Sequence, residues 1–173
     1  MRKSIPALLP GLIAGAFAGH GIAADLGVKI EIPRLTVAEY HRPYVAAWIE
    51  RADQSVAANL AVLYDVNKKG AEPGTKWLQD LRQWWRKGGR DLQMPLDGVS
   101  GATRPVGEHA LNIDKATLAK LPAGDYNLAV EAAREGGGRE LVRVPFSWPP
   151  KKADTAKIQG QHELGAVTVD LKP

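Results

Sequence analysis

Few residues in this chain have the chemistry to act by themselves. Thr103 ends the stretch Asp97-Gly98-Val99-Ser100-Gly101-Ala102-Thr103, a little past the middle of 173 residues. Its hydroxyl becomes a nucleophile once deprotonated. Gly101 and Ala102 are small enough for the surrounding backbone to enter a confined site, and Asp97 is of the type that hydrogen-bonds within its own loop. The same residues also read as a plain connection between "DLQMPL" and "GEHALNID", because Asp97-Gly98 and Ser100-Gly101 are turn formers. Local chemistry leaves both readings open.

Other candidates are weaker. Beyond position 24 the histidines are His41, His109 and His162, with no H-x-x-x-H or H-E-x-x-H spacing. Solvated or singly hydrogen-bonded histidines are expected, and no metal site. No serine lies in a nucleophile elbow, and Ser100 has no base in view, so no catalytic residue is assigned. The clusters "EYHRP" (39–43), "KKG" and "RKGGR" carry charges that suit an anion, or simply a turn and a solvated helix end. Trp77, Trp84 and Trp85 sit upstream of Thr103, with Trp48 and Trp148 further away. Indoles stack on planar rings or fill cores, and the helical spacing of these three favours core, with one of the adjacent pair left at the surface.

These residues must be positioned by strands and one helix. "LGVKIEIPRL" alternates Val28, Ile30 and Ile32 with Lys29 and Glu31, the period-2 signature of a half-buried strand. "RPYVAAWIERAD" and "SVAANLAVLYD" flank a polar break at Asp53-Gln54, and "PAGDYNLAVEAARE" and "RELVRVPFSW" flank Gly136-Gly137-Gly138; both pairs read as hairpins. "GEHALNID" is a further strand, followed by a helical turn at "KATLAKL", and "HELGAVTVDLK" closes the series. "FSWPPKKADTAK" reads as a connection to that last strand. In "TKWLQDLRQWWRKGG" the apolar residues Trp77, Leu78, Leu81, Trp84 and Trp85 share one helical face. An amphipathic helix is predicted over about 75–87, with Thr75 as N-cap and Gly88-Gly89 as stop. Regularly spaced strands with Gly/Pro punctuation predict a mainly β, two-sheet Ig-like or fibronectin-like β-sandwich with this helix inserted. An open sheet with a covering helix is the alternative.

Residues 1–24 predict a secretory signal peptide: Arg2 and Lys3, the apolar run "IPALLPGLIAGAFAG", then small residues before Asp25. Residues 25–173 are expected to form one domain. The net charge of +4 falls to +2 without Arg2 and Lys3, a poor fit to nucleic-acid binding. No later segment is apolar enough to span a bilayer. With no cysteine in the chain, disulfides, thiolate metal sites and lipid attachment through cysteine are excluded. The expectation is a periplasmic protein whose redox activity, if any, comes from a bound or attached cofactor.

Two resemblances sharpen this. The 97–103 stretch resembles the flavinylation motif of FAD:protein FMN transferase substrates, an aspartate, two variable residues, Ser or Thr, then Gly, Ala and Thr. Asp97, Ser100, Gly101, Ala102 and Thr103 match every defined position. The resemblance implies Thr103 as the residue that receives FMN in a phosphoester, with Asp97, Ser100, Gly101 and Ala102 as the recognised loop and Trp84 or Trp85 against the ring. The rest of the chain is unlike the flavin subunits and FMN-binding domains that commonly carry the motif. "VAEYHRPYVAAWIERAD", "GTKWLQDLRQWWRKGGRDLQMPLDGVSGATR", "GDYNLAVEAAREGGGRELVRVPFSWPP" and "ELGAVTVDLKP" are instead similar to the periplasmic domain-of-unknown-function family 2271. That resemblance implies association with a PepSY-type membrane reductase and a link to iron acquisition. Together they imply an exported electron carrier presenting Thr103 on a large exposed loop, served by the FMN transferase. The competing expectation is an unmodified periplasmic binding or accessory module, and a metal-binding protein stands third.

Overall fold

The computed structural model describes residues 24–68, 70 and 72–173; the expected signal peptide lies outside these residues except for Ala24. Nine strands form two sheets: β1 (Asp25–Ile32), β2 (Tyr44–Glu50), β3 (Val56–Tyr64), β4 (Ser100–Ala102), β5 (Gly107–Leu111), β6 (Gly124–Ala133), β7 (Arg139–Trp148), β8 (Asp154–Gln159) and β9 (Ala166–Lys172). One sheet has the order β5-β1-β9-β8, the other β4-β3-β2-β6-β7. All neighbours are antiparallel except β3 and β4.

The alternation in β1 does what its period requires. Leu26, Val28, Ile30 and Ile32 are buried and pack with Val167, Val169 and Leu171 of β9 against Val45, Ala47, Ile49, Leu128 and Val130 of the other sheet. This is the expected two-sheet β-sandwich. Each such side chain contributes roughly 1.5–3 kcal/mol on burial. β2 and β6 instead are buried without alternation over Val45–Glu50 and Leu128–Ala133, because they are covered on both faces. On the outer face of the five-stranded sheet, Ala46, Trp48, Val62, Tyr64, Ala129 and Ala133 meet Leu78, Leu81 and Trp84 of the tryptophan-rich segment.

Both hairpin expectations hold. Gln54 takes φ 63° at the β2–β3 turn, and Gly136 takes φ 64° at the β6–β7 turn. The helical turn at 115–119 is α2 (Lys115–Ala119), capped by Asp114 accepting from Ala116 N at 3.0 Å.

Three expectations are corrected. The helix predicted over 75–87 is broken: a 3-10 turn spans Gly74–Asp80, and α1 covers only Arg82–Arg86, with Leu81 between them at φ −77°, ψ 69°. Pro73, not Thr75, occupies the first cap position and no side chain caps there. The break has a tertiary cause. Leu78, Leu81 and Trp84 are all pressed onto the sheet, and the carboxylate of Glu131 from β6 accepts from Gln83 N (3.0 and 3.1 Å) and Trp84 N (2.9 Å), starting a fresh helical piece there. Second, the expected connection "FSWPPKKADTAK" ends in the first residues of β8, an edge strand whose residues are nearly all exposed, so no alternation marks it. Third, only 97–99 of the motif form a turn. Ser100–Ala102 form β4, paired in parallel with Val62, Leu63 and Tyr64 at the sheet edge.

Candidate functional site

β4 exists because its residues are small and because Leu96 organises the turn before it. The carbonyl of Leu96 accepts from Val99 N (3.2 Å) and Ser100 N (2.9 Å), while Leu96 N donates to the Ser100 hydroxyl at 2.9 Å. Gly98 takes φ 70°, which suits the turn. A Cβ on Gly101 would stand 3.1 Å from Leu63 Cδ2, so glycine lets the edge strand lie close on β3. Asp97 is exposed beside the turn, and Ala102 points outward. The ladder then carries one residue further: Thr103 N donates to Tyr64 O at 3.2 Å. Beyond it the chain leaves this sheet, and β5 begins at Gly107 in the other. Thr103 is therefore half-buried at the free end of a three-residue edge strand, and not on a large loop.

Thr103 opens onto a cleft of about 630 Å³, inside the range of about 300–1,000 Å³ typical of small-molecule sites. The walls come from five separated parts of the chain. His41, Arg42 and Tyr44 enter β2; Asp65 and Lys68 follow β3; Trp77, Asp80 and Arg82 belong to the tryptophan-rich segment; Thr103 ends β4; and 133–139 make the β6–β7 turn. "EYHRP" and the first lysine of "KKG", noted separately as anion-binding candidates, thus converge beside Thr103.

Hydrogen bonds hold these walls in place. Arg134 grips Glu163 through Nε at 2.9 Å and a second nitrogen at 3.1 Å, and Glu163 also accepts from Gly138 N at 2.9 Å. The Glu163 carboxylate raises the pKa of Arg134 further above its ordinary value, against a smaller opposing effect of burial. Glu140 in turn accepts four backbone N–H groups, from Gln161 (2.6 Å), His162 (2.9 Å), Glu163 (2.8 Å) and Leu164 (2.9 Å). Burial pushes the Glu140 pKa up, but those donors outweigh it and hold the carboxyl below its ordinary value. On the neighbouring strand β2, where it pairs with Ala133, Tyr44 lies edge-on to Tyr64 with ring centroids 6.3 Å apart, and burial raises its phenol pKa. Arg139 reaches Glu131 at 3.7 Å, and His41 sits between Glu39 (3.2 Å) and Glu135 (3.9 Å).

The aromatic assignment changes. Trp84 is 1 % exposed, donates from Nε1 to Asn59 Oδ1 at 2.9 Å, and is closed over by Gly89, where a Cβ would stand 2.6 Å from the indole. It is core and has no face to offer a ligand. Trp85 is partly buried against the same cluster, tilted 51° to Trp84, and does not line the cleft. Trp48 and Trp148 are buried as well. Trp77 is the tryptophan that lines the cleft with Thr103, carrying Lys76 Nζ 4.9 Å from its ring centroid. Helical spacing grouped all three indoles on one face; the break at Leu81 separates Trp77 from the others. "RKGGR" is not at the cleft either: Lys87 pairs with buried Glu50 at 3.3 Å and donates to Gln54 O.

Among the described residues no group of three or more His, Cys, Asp or Glu could hold a metal ion. His109 Nε2 lies 2.7 Å from Pro105 O, in keeping with a singly hydrogen-bonded histidine. No described helix is long and apolar enough to cross a membrane.

Comparison with curated proteins and with solved structures finds no match. The family model described as "Predicted periplasmic protein (DUF2271)" matches residues 25–166, from the first residue of β1 to the first of β9 and including the whole cleft. The chain belongs to this periplasmic family.

Proposed function

We propose that the protein is a periplasmic electron carrier bearing FMN covalently on Thr103. The observation that carries this reading is the position of Thr103, the last residue of the matched motif. It stands half-buried where an edge strand ends, at the mouth of a cleft that combines Trp77 with Arg42, Lys68 and Arg82. A threonine sealed between two strands would have no such access.

The attachment balances as a phosphoryl transfer. The Thr103 oxygen forms a bond to the FMN phosphorus of FAD, the pyrophosphate anhydride breaks, AMP leaves, and the hydroxyl proton passes to a base of the FAD:protein FMN transferase. FMN, once attached, supplies one- and two-electron transfer. The chain's own residues tether, orient and shield. Asp97, Ser100, Gly101 and Ala102 form the segment that the transferase reads. The Leu96 and Ser100 hydrogen bonds preset its shape, and the residues after Thr103 lie outside any strand. β4 is short enough to lift from β3 locally, since only three residues pair there. A PepSY-type membrane reductase is the proposed electron-transfer partner, with iron as the substrate class that such a pair serves.

A second reading, an unmodified accessory module, draws on the pairing of the motif with β3. One experiment separates them. The domain is co-expressed with an active transferase, denatured and run on a gel. Flavin fluorescence staying with the wild-type band and absent from Thr103→Ala supports the carrier; a dark wild-type band supports the module.

A further inference from the structure

We propose that the cleft beside Thr103 is a preformed seat for the attached flavin, with Trp77 packed against the ring and Arg42, Lys68 and Arg82 facing its phosphoester end. This rests on attachment at Thr103, and it assigns the residues that receive what is attached.

The charges divide in a telling way. Five Arg or Lys side chains line the cleft, and two of them are already engaged: Arg134 with Glu163 and Arg139 with Glu131. Arg42, Lys68 and Arg82 are exposed and make no ion pair with a described residue. Three carboxylates, Asp65, Asp80 and Glu135, belong to the same lining. Counted with Glu131 and Glu163, five cations face five carboxylates, so the lining has no net surplus of positive charge and an anionic tail would be met only locally, by Arg42, Lys68 and Arg82. Such a lining admits a singly charged phosphodiester and does not suit a polyanion, which needs a concentrated basic surface.

The apolar element is equally limited. Trp77 supplies an aromatic side chain to the lining, and Tyr44, at the start of β2, adds a second. A planar heteroaromatic ring with one anionic tail matches an aromatic wall beside three cations. The walls are also set in advance. The Arg134–Glu163–Gly138 network and the Tyr44–Tyr64 contact fix two of them without any ligand, which lowers the ordering entropy of binding. A ring tethered at the rim has a high effective concentration over the cleft, so weak contacts suffice to seat it.

The test uses the flavinylated full domain and reads the ring's surroundings. Indoles in contact quench flavin emission, so the native labelled protein is expected to emit several-fold less than after denaturation. Acrylamide, a neutral quencher, should reach the native ring several-fold less efficiently than free FMN. Trp77→Ala should raise native emission several-fold with the label per protein unchanged, Trp77→Phe should fall between, and Trp85→Phe should have no effect. Arg82→Gln with Lys68→Gln should increase acrylamide access while leaving the denatured band as bright. If the native wild-type ring emits and quenches like free FMN and ignores Trp77→Ala, the seat is wrong while attachment stands. A dark denatured band overturns both.

Discussion

Glu140→Gln tests how the cleft wall is built. The Glu140 carboxylate on β7 gathers the N–H groups of Gln161, His162, Glu163 and Leu164, at 2.6–2.9 Å, from the turn between β8 and β9. It thereby ties one sheet to the other and sets the backbone from which Glu163 holds Arg134 and Gly138. A glutamine keeps the shape and its carbonyl can replace Oε2, which accepts from His162, Glu163 and Leu164, but its amide nitrogen then meets the Gln161 N–H and the other bonds lose their charged acceptor. Hydrogen bonds to a charged acceptor are worth about 1.5–3 kcal/mol each, against about 0.5–1.5 kcal/mol for a neutral one. Only the Glu163 and Leu164 bonds are part-buried, so a loss of about 1–3 kcal/mol is expected once the two exposed bonds are discounted. For a domain of this size that is a fall of roughly 3–10 °C in Tm.

The pH dependence is an internal control. The folded-state pKa of Glu140 is depressed, so its stabilisation is complete above the ordinary carboxylate range and lost as pH falls through the folded value. The difference between wild type and Glu140→Gln in thermal and urea unfolding should be full at neutral pH and close in acid. A neutral-pH difference under about 0.5 kcal/mol, the scatter of ordinary surface changes, would refute the reasoning.

Glu131 should behave in the opposite sense. Burial raises its pKa despite the Trp84 and Gln83 N–H groups and the charges of Arg139 and Arg86. Its contribution is present below the ordinary glutamate range and lost as pH rises through the raised value, so the advantage of wild type over Glu131→Gln in urea unfolding should shrink with rising pH. Gly89→Ala places a methyl 2.6 Å from the Trp84 ring; overpacking should cost about 1–3 kcal/mol, read as a lower urea midpoint with unchanged slope. Thr103→Val keeps the backbone bond to Tyr64 O and the side-chain shape, so its Tm should stay within about 2 °C of wild type even though it removes any attachment point.

The parts of the fold that were legible have local causes. β1 alternates because one face is buried, and the two long hairpins announce themselves through polar or glycine turns. The parts that were not legible have tertiary causes. The break at Leu81 depends on a carboxylate from β6, nearly fifty positions away, and nothing within 75–87 encodes it. β8 is an edge strand exposed on almost every residue, so it lacks a buried face to create a period. β4 has three small residues in a parallel pair, too short for any pattern. The cleft is legible only as fragments. His41, Arg42, Lys68, Trp77 and Thr103 each stand out in the sequence, but only the topology brings them together. The helical face that groups Trp77 with its neighbours as core is one that the chain does not form.

The most direct measurement is peptide mass spectrometry of the protein exported from cells that contain an active FAD:protein FMN transferase. The account predicts that the peptide containing residues 97–103 gains the mass of one FMN less water, that fragmentation places it on Thr103, and that Thr103→Val abolishes it. An unmodified peptide from cells whose transferase labels a known substrate, or a label on another residue, would contradict it.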